Sequence, residues 1–341
     1  MEQVAELSRA GNSYGGYWVP TTAAYFVAQN AKIKNGDIEG TIIDVETIGF
    51  TNGCVDILYQ APSYPEMAYN NTYGLQATNE TLYEVALAAL PACLDGTRTC
   101  RALGEQYDPD LLGLNETVNS YCANVVNLCL GDVTGVYGVA SGIFFGETGD
   151  PVRVEGTKSL EYLLASGVQV ALAYGDRDYR CPWLGAEALA LQINWTGAAG
   201  FAAAGYESVH TNRTYDGGVV RQHGNLSFSR VFEAGHDVAA YQPETNFRIF
   251  NRAVSRRDIA TGRVAVDGRF NDYSTDGPQS SRNITDILPA SMPVLCYLWD
   301  VTGTCTQDQY EALANGTAVV EDFVVTSPAG GGGPVAGEGS P

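Results

Sequence analysis

Apolar and β-branched residues gather into short runs at Gly40 to Gly49, Val168 to Tyr174 and Leu226 to Phe232, with a fourth candidate at Val4 to Ala10. Runs of this length, bounded by turn residues, predict strands. Between them the period changes. Thr21 to Lys32 and Glu187 to Ile193 carry Ala- and Leu-rich helical patterns, and Tyr241 to Val254 sets Phe247, Ile249, Phe250 and Val254 near helical spacing. Alternation of the two patterns predicts an α/β protein built on a parallel sheet.

The stretch from Cys54 to Leu160 is too long for one crossover and reads as an inserted cap, about residues 55–160. It holds five of the eight cysteines. Cys93 and Cys100 are about two helical turns apart, as are Cys122 and Cys129, so each pair shares a helix face. Antiparallel packing of those segments would nest the bridges as Cys93 to Cys129 and Cys100 to Cys122, although four cysteines permit three pairings.

Composition narrows the setting. Eight cysteines with no C-x-x-C pair point to an oxidising compartment. So do the N-x-[ST] sequons at Asn70, Asn79, Asn115, Asn194, Asn212, Asn225, Asn283 and Asn315, which mark a glycoprotein that is secreted or vacuolar. A formal net charge of −20 repels phosphate backbones, which argues against nucleic acid as a partner and suits an acidic environment. Met1 to Ala10 has neither the basic nor the apolar region of a secretory signal, so a true start is expected upstream. No run approaches a membrane span. Residues 326–341, rich in Gly and Pro, read as a disordered tail behind one domain covering 1–325.

Gly11-Asn12-Ser13-Tyr14-Gly15 matches G-x-S-x-G between a candidate strand and a helix, the context in which a sharp turn lifts a serine hydroxyl above a sheet. The Tyr14 amide would then face a developing oxyanion. Of the three histidines, His236 alone follows a predicted strand's C-terminal end, where open α/β sheets bind ligands; His210 and His223 read as bystanders. Gly175-Asp176-Arg177-Asp178 follows another strand and offers two carboxylates to orient the imidazole. Position alone does not choose between them. The order Ser, Asp, His is that of the α/β-hydrolases.

Together, Gly11-Asn12-Ser13-Tyr14-Gly15-Gly16, the block from Gly175 to Gly185 with its Cys181-Pro182-Trp183, and Ala234-Gly235-His236 resemble three blocks of the serine carboxypeptidases of the carboxypeptidase Y type. Asn52-Gly53-Cys54-Val55-Asp56 and Ser63 to Tyr69 are most similar to the fungal secreted members. The resemblance implies an α/β-hydrolase fold with a disulfide-linked helical cap. It implies Ser13, Asp178 and His236 as the triad, peptide C-termini as substrate, and no metal or organic cofactor. An esterase or acyltransferase on the same triad, or a catalytically silent fragment, are the alternatives.

Several departures from the family are legible. Only twelve residues precede Ser13, so the strands and glycine-rich oxyanion loop expected upstream are missing, and some strand should be left as an open edge. Related chains look longer near Phe145 to Val154. Asn12 stands where the family has a glutamate that must be protonated to hold the substrate carboxylate, whereas an amide donates at any pH. Asp237 stands where methionine or glutamate is usual, and a carboxylate there would favour basic leaving residues. Cys181 resembles the family's free thiol near the substrate pocket. A local Cys296 to Cys305 bridge would leave Cys54 without a mate. The sequence carries no information on oligomeric state.

Overall fold

In a computed structural model the described residues are 5–110, 112–135, 150–266, 272–285, 296–298, 301–321 and 323–328. They divide into two units, Met1–Asp286 and Ile287–Pro341.

The first unit is built on six strands, β1 (Ala5–Asn12), β2 (Ile43–Thr51), β3 (Gln169–Gly175), β4 (Glu207–His210), β5 (Asp216–His223) and β6 (Leu226–Val231). Their spatial order is β1-β2-β3-β6-β5-β4. The first four in that order run parallel, and β5 and β4 continue the sheet antiparallel. Every residue of β3 and β6 is buried, as befits central strands covered on both faces.

Strands β4 and β5 were not expected from the sequence; β4 is only four residues long with Val209 alone buried, and the buried positions of β5 include polar residues. Arg221 and Gln222 of β5 are almost wholly buried. The Arg221 guanidinium donates to the carbonyls of Phe201, Ala202, Ala204 and Gln279, which satisfies the charge without apolar patterning. β1 lies at one edge of the sheet.

Helix α1 (Gly15–Asn35) follows β1 and lays Tyr17, Val19 and Ala23 onto the core. Gly36 closes it in the left-handed conformation at φ +76°, where glycine carries no Cβ penalty. Between β2 and β3 come α2 (Ile57–Gln60), α3 (Ser63–Tyr69), α4 (Glu80–Tyr107), α5 (Glu116–Leu128) with a π-turn at Cys129–Val133, α6 (Asp150–Arg153) and α7 (Gly156–Ala165). Residues 145–149 of the segment expected to be short lie outside the described residues.

Helices α4 and α5 are joined by Cys93–Cys129 and Cys100–Cys122, and all four sulfurs are buried. A buried ion pair holds this cap to the loop after β2. Arg101 grips Asp56 at 2.7 and 3.4 Å while also donating to the carbonyls of Val152 and Val154. Thr157 at 2.8 Å completes the Asp56 carboxylate. After β3 follow α8 (Trp183–Gln192) and α9 (Ala198–Ala203), and after β6 α10 (Val238–Tyr241) and α11 (Pro243–Val254).

The second unit contains α12 (Val301–Thr304), α13 (Gln307–Ala314) and the hairpin β7 (Val319–Glu321) and β8 (Val324–Ser327). Cys296–Cys305 is bridged within it. Thr326 and Ser327, expected in a disordered tail, instead lie in β8, where Ser327 pairs with Val319. Residues 329–341 of that tail lie outside the described residues. Among the described residues no helix is long and apolar enough to cross a membrane.

Candidate active site

Ser13, Asp178 and His236 follow the C-terminal ends of β1, β3 and β6, three strands that run in one direction. Their side chains therefore start from the same rim. Ser13 takes φ +59°, a left-handed conformation that a non-glycine residue adopts only under constraint. The constraint is visible: its N–H donates to Thr51 O at 3.2 Å, and its own carbonyl accepts from Gly16 N and Cys54 N, each at 3.0 Å.

The crowding at this turn falls on Gly16. A Cβ there would sit 2.4 Å from the Cys54 carbonyl oxygen, whereas Gly15, the last glycine of the motif, has open space.

The imidazole Nδ1 of His236 lies 2.8 Å from Asp178 Oδ2. Asp178 is 3% exposed, and three donors besides the imidazole surround its carboxyl oxygens. Arg180 N donates to Oδ1 at 2.8 Å, while Cys181 N at 3.2 Å and the Asn52 side-chain amide at 2.6 Å donate to Oδ2. Gly175 permits the approach of the histidine loop, since a Cβ on it would fall 2.4 Å from Ala234 O.

The other aspartate of the block does different work. Asp176 is wholly buried with Arg230, 3.3 Å away, and accepts from the Tyr73 hydroxyl at 2.8 Å. Arg230 stacks over Trp183, 4.5 Å from its ring, and donates to the carbonyls of Ser281 and Ile284. This is a structural hub one residue away from Arg177, which lies over the Tyr73 ring.

Asn52 is a site residue that the sequence reading quoted only for its resemblance. It is wholly buried at φ +44°, and its side chain bridges two loops, accepting from Gly175 N at 3.0 Å while donating to Asp178. An Asn–Gly pair directly after a strand was the available signal.

Two expectations need correction. Cys181 is not a free thiol; it is bridged to Cys54, with Cα atoms 5.5 Å apart, and among the eight cysteines none is free. The pairing follows from the topology, because β2 and β3 are adjacent parallel strands and the two cysteines lie in the loops leaving them. Asp178, Cys181 and His236 present ligand atoms within 4.8 Å of one another, but a disulfide sulfur is no thiolate, so this trio is a poor metal ligand set.

The second correction is Asn225, which is buried, and its amide donates to Leu164 O at 3.1 Å and Val168 O at 2.8 Å. Both amide hydrogens are occupied in the core, so this sequon cannot present its nitrogen for glycosylation in the folded chain. Asn70, Asn79, Asn194, Asn212, Asn283 and Asn315 are exposed and Asn115 is half-buried.

The remaining candidates cluster near the elbow. Asn12 is exposed, accepting from the Thr51 hydroxyl at 3.2 Å, and Asp237 is exposed beside His236. Both line one cavity of about 280 Å³ that runs between the strands β1 to β3 and helix α11, with Ile48, Phe50, Ile249 and Phe250 on its walls. The ring of Tyr14 lies 5.0 Å from that of Tyr17 and 6.3 Å from that of Trp18. His210 is engaged elsewhere, with Asp216 at 2.5 Å, and burial lowers the pKa of His223 at the far end of β5.

Comparison with known proteins places this arrangement in a family. The serine carboxypeptidase family model matches residues 3–135 and 137–256. A carboxypeptidase S1 homolog A of Arthroderma benhamiae is 40% identical over 372 residues, covering 93% of this chain and 57% of the relative. A carboxypeptidase Y homolog of the same fungus is 36% identical over 95% of this chain and 60% of its own length. The chain thus spans little more than half of the curated relatives it matches. Among solved structures, Kex1(Δ)p, a prohormone-processing carboxypeptidase from Saccharomyces cerevisiae, aligns with a TM-score of 0.47 and 17% identity over 71% of this chain and 62% of that one. On the family match and the 40% identity across 93% of its length, this chain belongs to the serine carboxypeptidase family.

Proposed function

We propose that the full-length protein is a serine-type carboxypeptidase acting through an acyl-enzyme on Ser13. The observation that carries this reading is the buried Asp178 carboxylate bonded to His236 Nδ1 on the rim where Ser13 sits in a constrained turn. With Nδ1 engaged, Nε2 is the nitrogen left to take the Ser13 proton as the hydroxyl attacks the last peptide carbonyl. The imidazolium then protonates the departing amino acid, and Asp178 stabilises that cation. Water hydrolyses the acyl-enzyme by the same relay in reverse. The Tyr14 amide is the oxyanion donor contributed by this chain.

The substrates are peptide or protein C-termini, met in a secretory or vacuolar compartment. Asn12 and Asp237 share one cavity beside the elbow, which supports Asn12 as the donor to the terminal carboxylate and Asp237 as a partner for a basic leaving residue. Labelling by a fluorophosphonate probe, lost in Ser13→Ala, tests the nucleophile. Release of the C-terminal residue from a blocked dipeptide, compared with hydrolysis of a simple ester, tests the substrate class. Absence of labelling, or ester cleavage without peptide cleavage, refutes the proposal.

A further inference from the structure

The bridge between Cys54 and Cys181 stands in an unusual place. Cys54 N donates to the carbonyl of Ser13 at 3.0 Å, and Cys181 N donates to Asp178 Oδ2 at 3.2 Å. The disulfide therefore joins a residue hydrogen-bonded to the nucleophile's backbone to a residue hydrogen-bonded to the carboxylate that orients His236. Asn52, two residues before Cys54, makes the same crossing through its side chain. Between them these links lock the loops that leave β2 and β3 beyond the last ladder pair, Thr51 with Ala173.

Access distinguishes this bridge from the others. Cys93, Cys100, Cys122, Cys129, Cys181, Cys296 and Cys305 are all buried to 1% exposure or less. Cys54 alone is partly exposed. A reductant approaching the folded protein is therefore expected to open this bridge before the other three. Access to the attacked sulfur is one of the determinants of thiol–disulfide exchange rate.

We propose that the Cys54–Cys181 bridge is a redox-addressable positioning element of the active site, whose opening by a dithiol lowers turnover without unfolding the sheet. The inference rests on the carboxypeptidase reading for its kinetic consequence. The exchange balances simply. A dithiol thiolate attacks Cys54 Sγ, forming a mixed disulfide and releasing Cys181 as thiolate; the second dithiol sulfur then displaces Cys54 and closes a cyclic disulfide. The dithiol gives up two electrons, and its two protons end on the two cysteine sulfurs. Loss of the tether leaves the Cys181 amide, one of three donors on Asp178 besides the imidazole, on a loop free to drift, and the imidazole follows its carboxylate.

The test uses the full-length protein under mild dithiol, with differential alkylation and mass spectrometry identifying which cysteines have opened. Where alkylated aliquots show Cys54 and Cys181 alone opened, kcat of the reduced, unalkylated protein for a blocked dipeptide is expected to fall between about 10- and 100-fold, the scale for small misplacements of catalytic groups. KM should change little, since the bridge touches no substrate group, and reoxidation of the unalkylated protein should restore kcat. The Cys54→Ala variant, permanently open, should match the reduced protein. Amide exchange at Cys54 and Cys181 should accelerate on opening. Selective cleavage that leaves kcat within about twofold overturns the proposal, as does a reduction whose lost activity appears only once Cys93, Cys100, Cys122 or Cys129 is also alkylated. If the oxidised protein itself shows no turnover or probe labelling, the carboxypeptidase reading is what fails. Amide exchange then decides the positioning role alone, with unchanged protection at residues 54 and 181 refuting it.

Discussion

Replacement of Asn52 separates three effects that converge on one buried side chain. In Asn52→Ala, Asp178 loses a charge-assisted hydrogen bond of 2.6 Å and Gly175 N–H loses its acceptor at 3.0 Å. A bond to a charged group contributes about 1.5–3 kcal/mol and an orphaned buried donor costs about 1–3, so the pair together comes to about 2.5–6 kcal/mol. Alanine must also hold φ +44°, which adds up to about 1 kcal/mol that Asn52→Gly escapes. Asn52→Asp keeps an acceptor for Gly175 but sets a second carboxylate against Asp178, and two such groups share one proton.

The sign of the pH dependence follows from the shared proton. The introduced acid has its folded pKa raised, so the folded state binds more protons than the unfolded chain. Stability of Asn52→Asp relative to the parent is then greatest below about pH 4 and falls as pH rises through the folded pKa. Denaturant melts at constant slope, repeated from pH 4 to 7, measure all three variants. An Asn52→Ala variant within about 1 kcal/mol of the parent, or an Asn52→Asp variant that gains stability relative to the parent toward pH 7, would refute the assignment of Asn52 as the anchor of Asp178.

Arg101→Met strands the Asp56 carboxylate beneath the cap and is expected to cost about 3–5 kcal/mol, partly regained in the double variant with Asp56→Leu; denaturation melts of the cycle measure both. Burial pushes the Asp258 carboxyl up, but donation from the amides of Val264, Thr261 and Gly262 outweighs it and holds the group below the usual range. Its stabilisation is present above about pH 4 and disappears as pH falls through the lowered folded pKa, so Asp258→Asn should melt earlier at neutral pH while losing less on acidification. Glycopeptide mapping should find Asn225 unmodified, and glycans on Asn79 and Asn115 are compatible with their caps, because those bonds use only the side-chain oxygen. Asn12→Glu should make substrate binding fall above about pH 5, where a carboxyl ceases to donate, while the parent retains it.

The strands that frame the rim were legible in their patterns, β3 as a nearly continuous apolar run and β6 as Leu226 and Phe228 alternating with serines: both match their predicted spans to within about two residues, inside the usual ambiguity of element ends. β2 is displaced toward its C-terminus, ending at Thr51 rather than Gly49, because Thr51 and Asn12 still pair. Strand β5 was not legible, since its buried Arg221 donates to carbonyls and its buried Gln222 side-chain oxygen accepts from the Ile259 amide, partners in distant segments that no local pattern announces. Asn225 failed for the same reason in reverse. Its sequon is a local signal, whereas its burial depends on carbonyls near residues 164 and 168.

The Cys54–Cys181 pairing shows where the limit lies. The sequence placed both cysteines directly after strands, yet strand order decides which loops are neighbours, and order is set by crossovers through the cap rather than by either cysteine's surroundings. Once β2 lies beside β3 in parallel, residues a few positions past each strand's end must stand side by side. The same geometry delivers Asn52 to Asp178. Chemistry at an open α/β rim is therefore a property of strand adjacency: Ser13, Asp178 and His236 were named from motifs one by one, but the groups that hold them in place belong to the strand lying between those that carry Ser13 and Asp178.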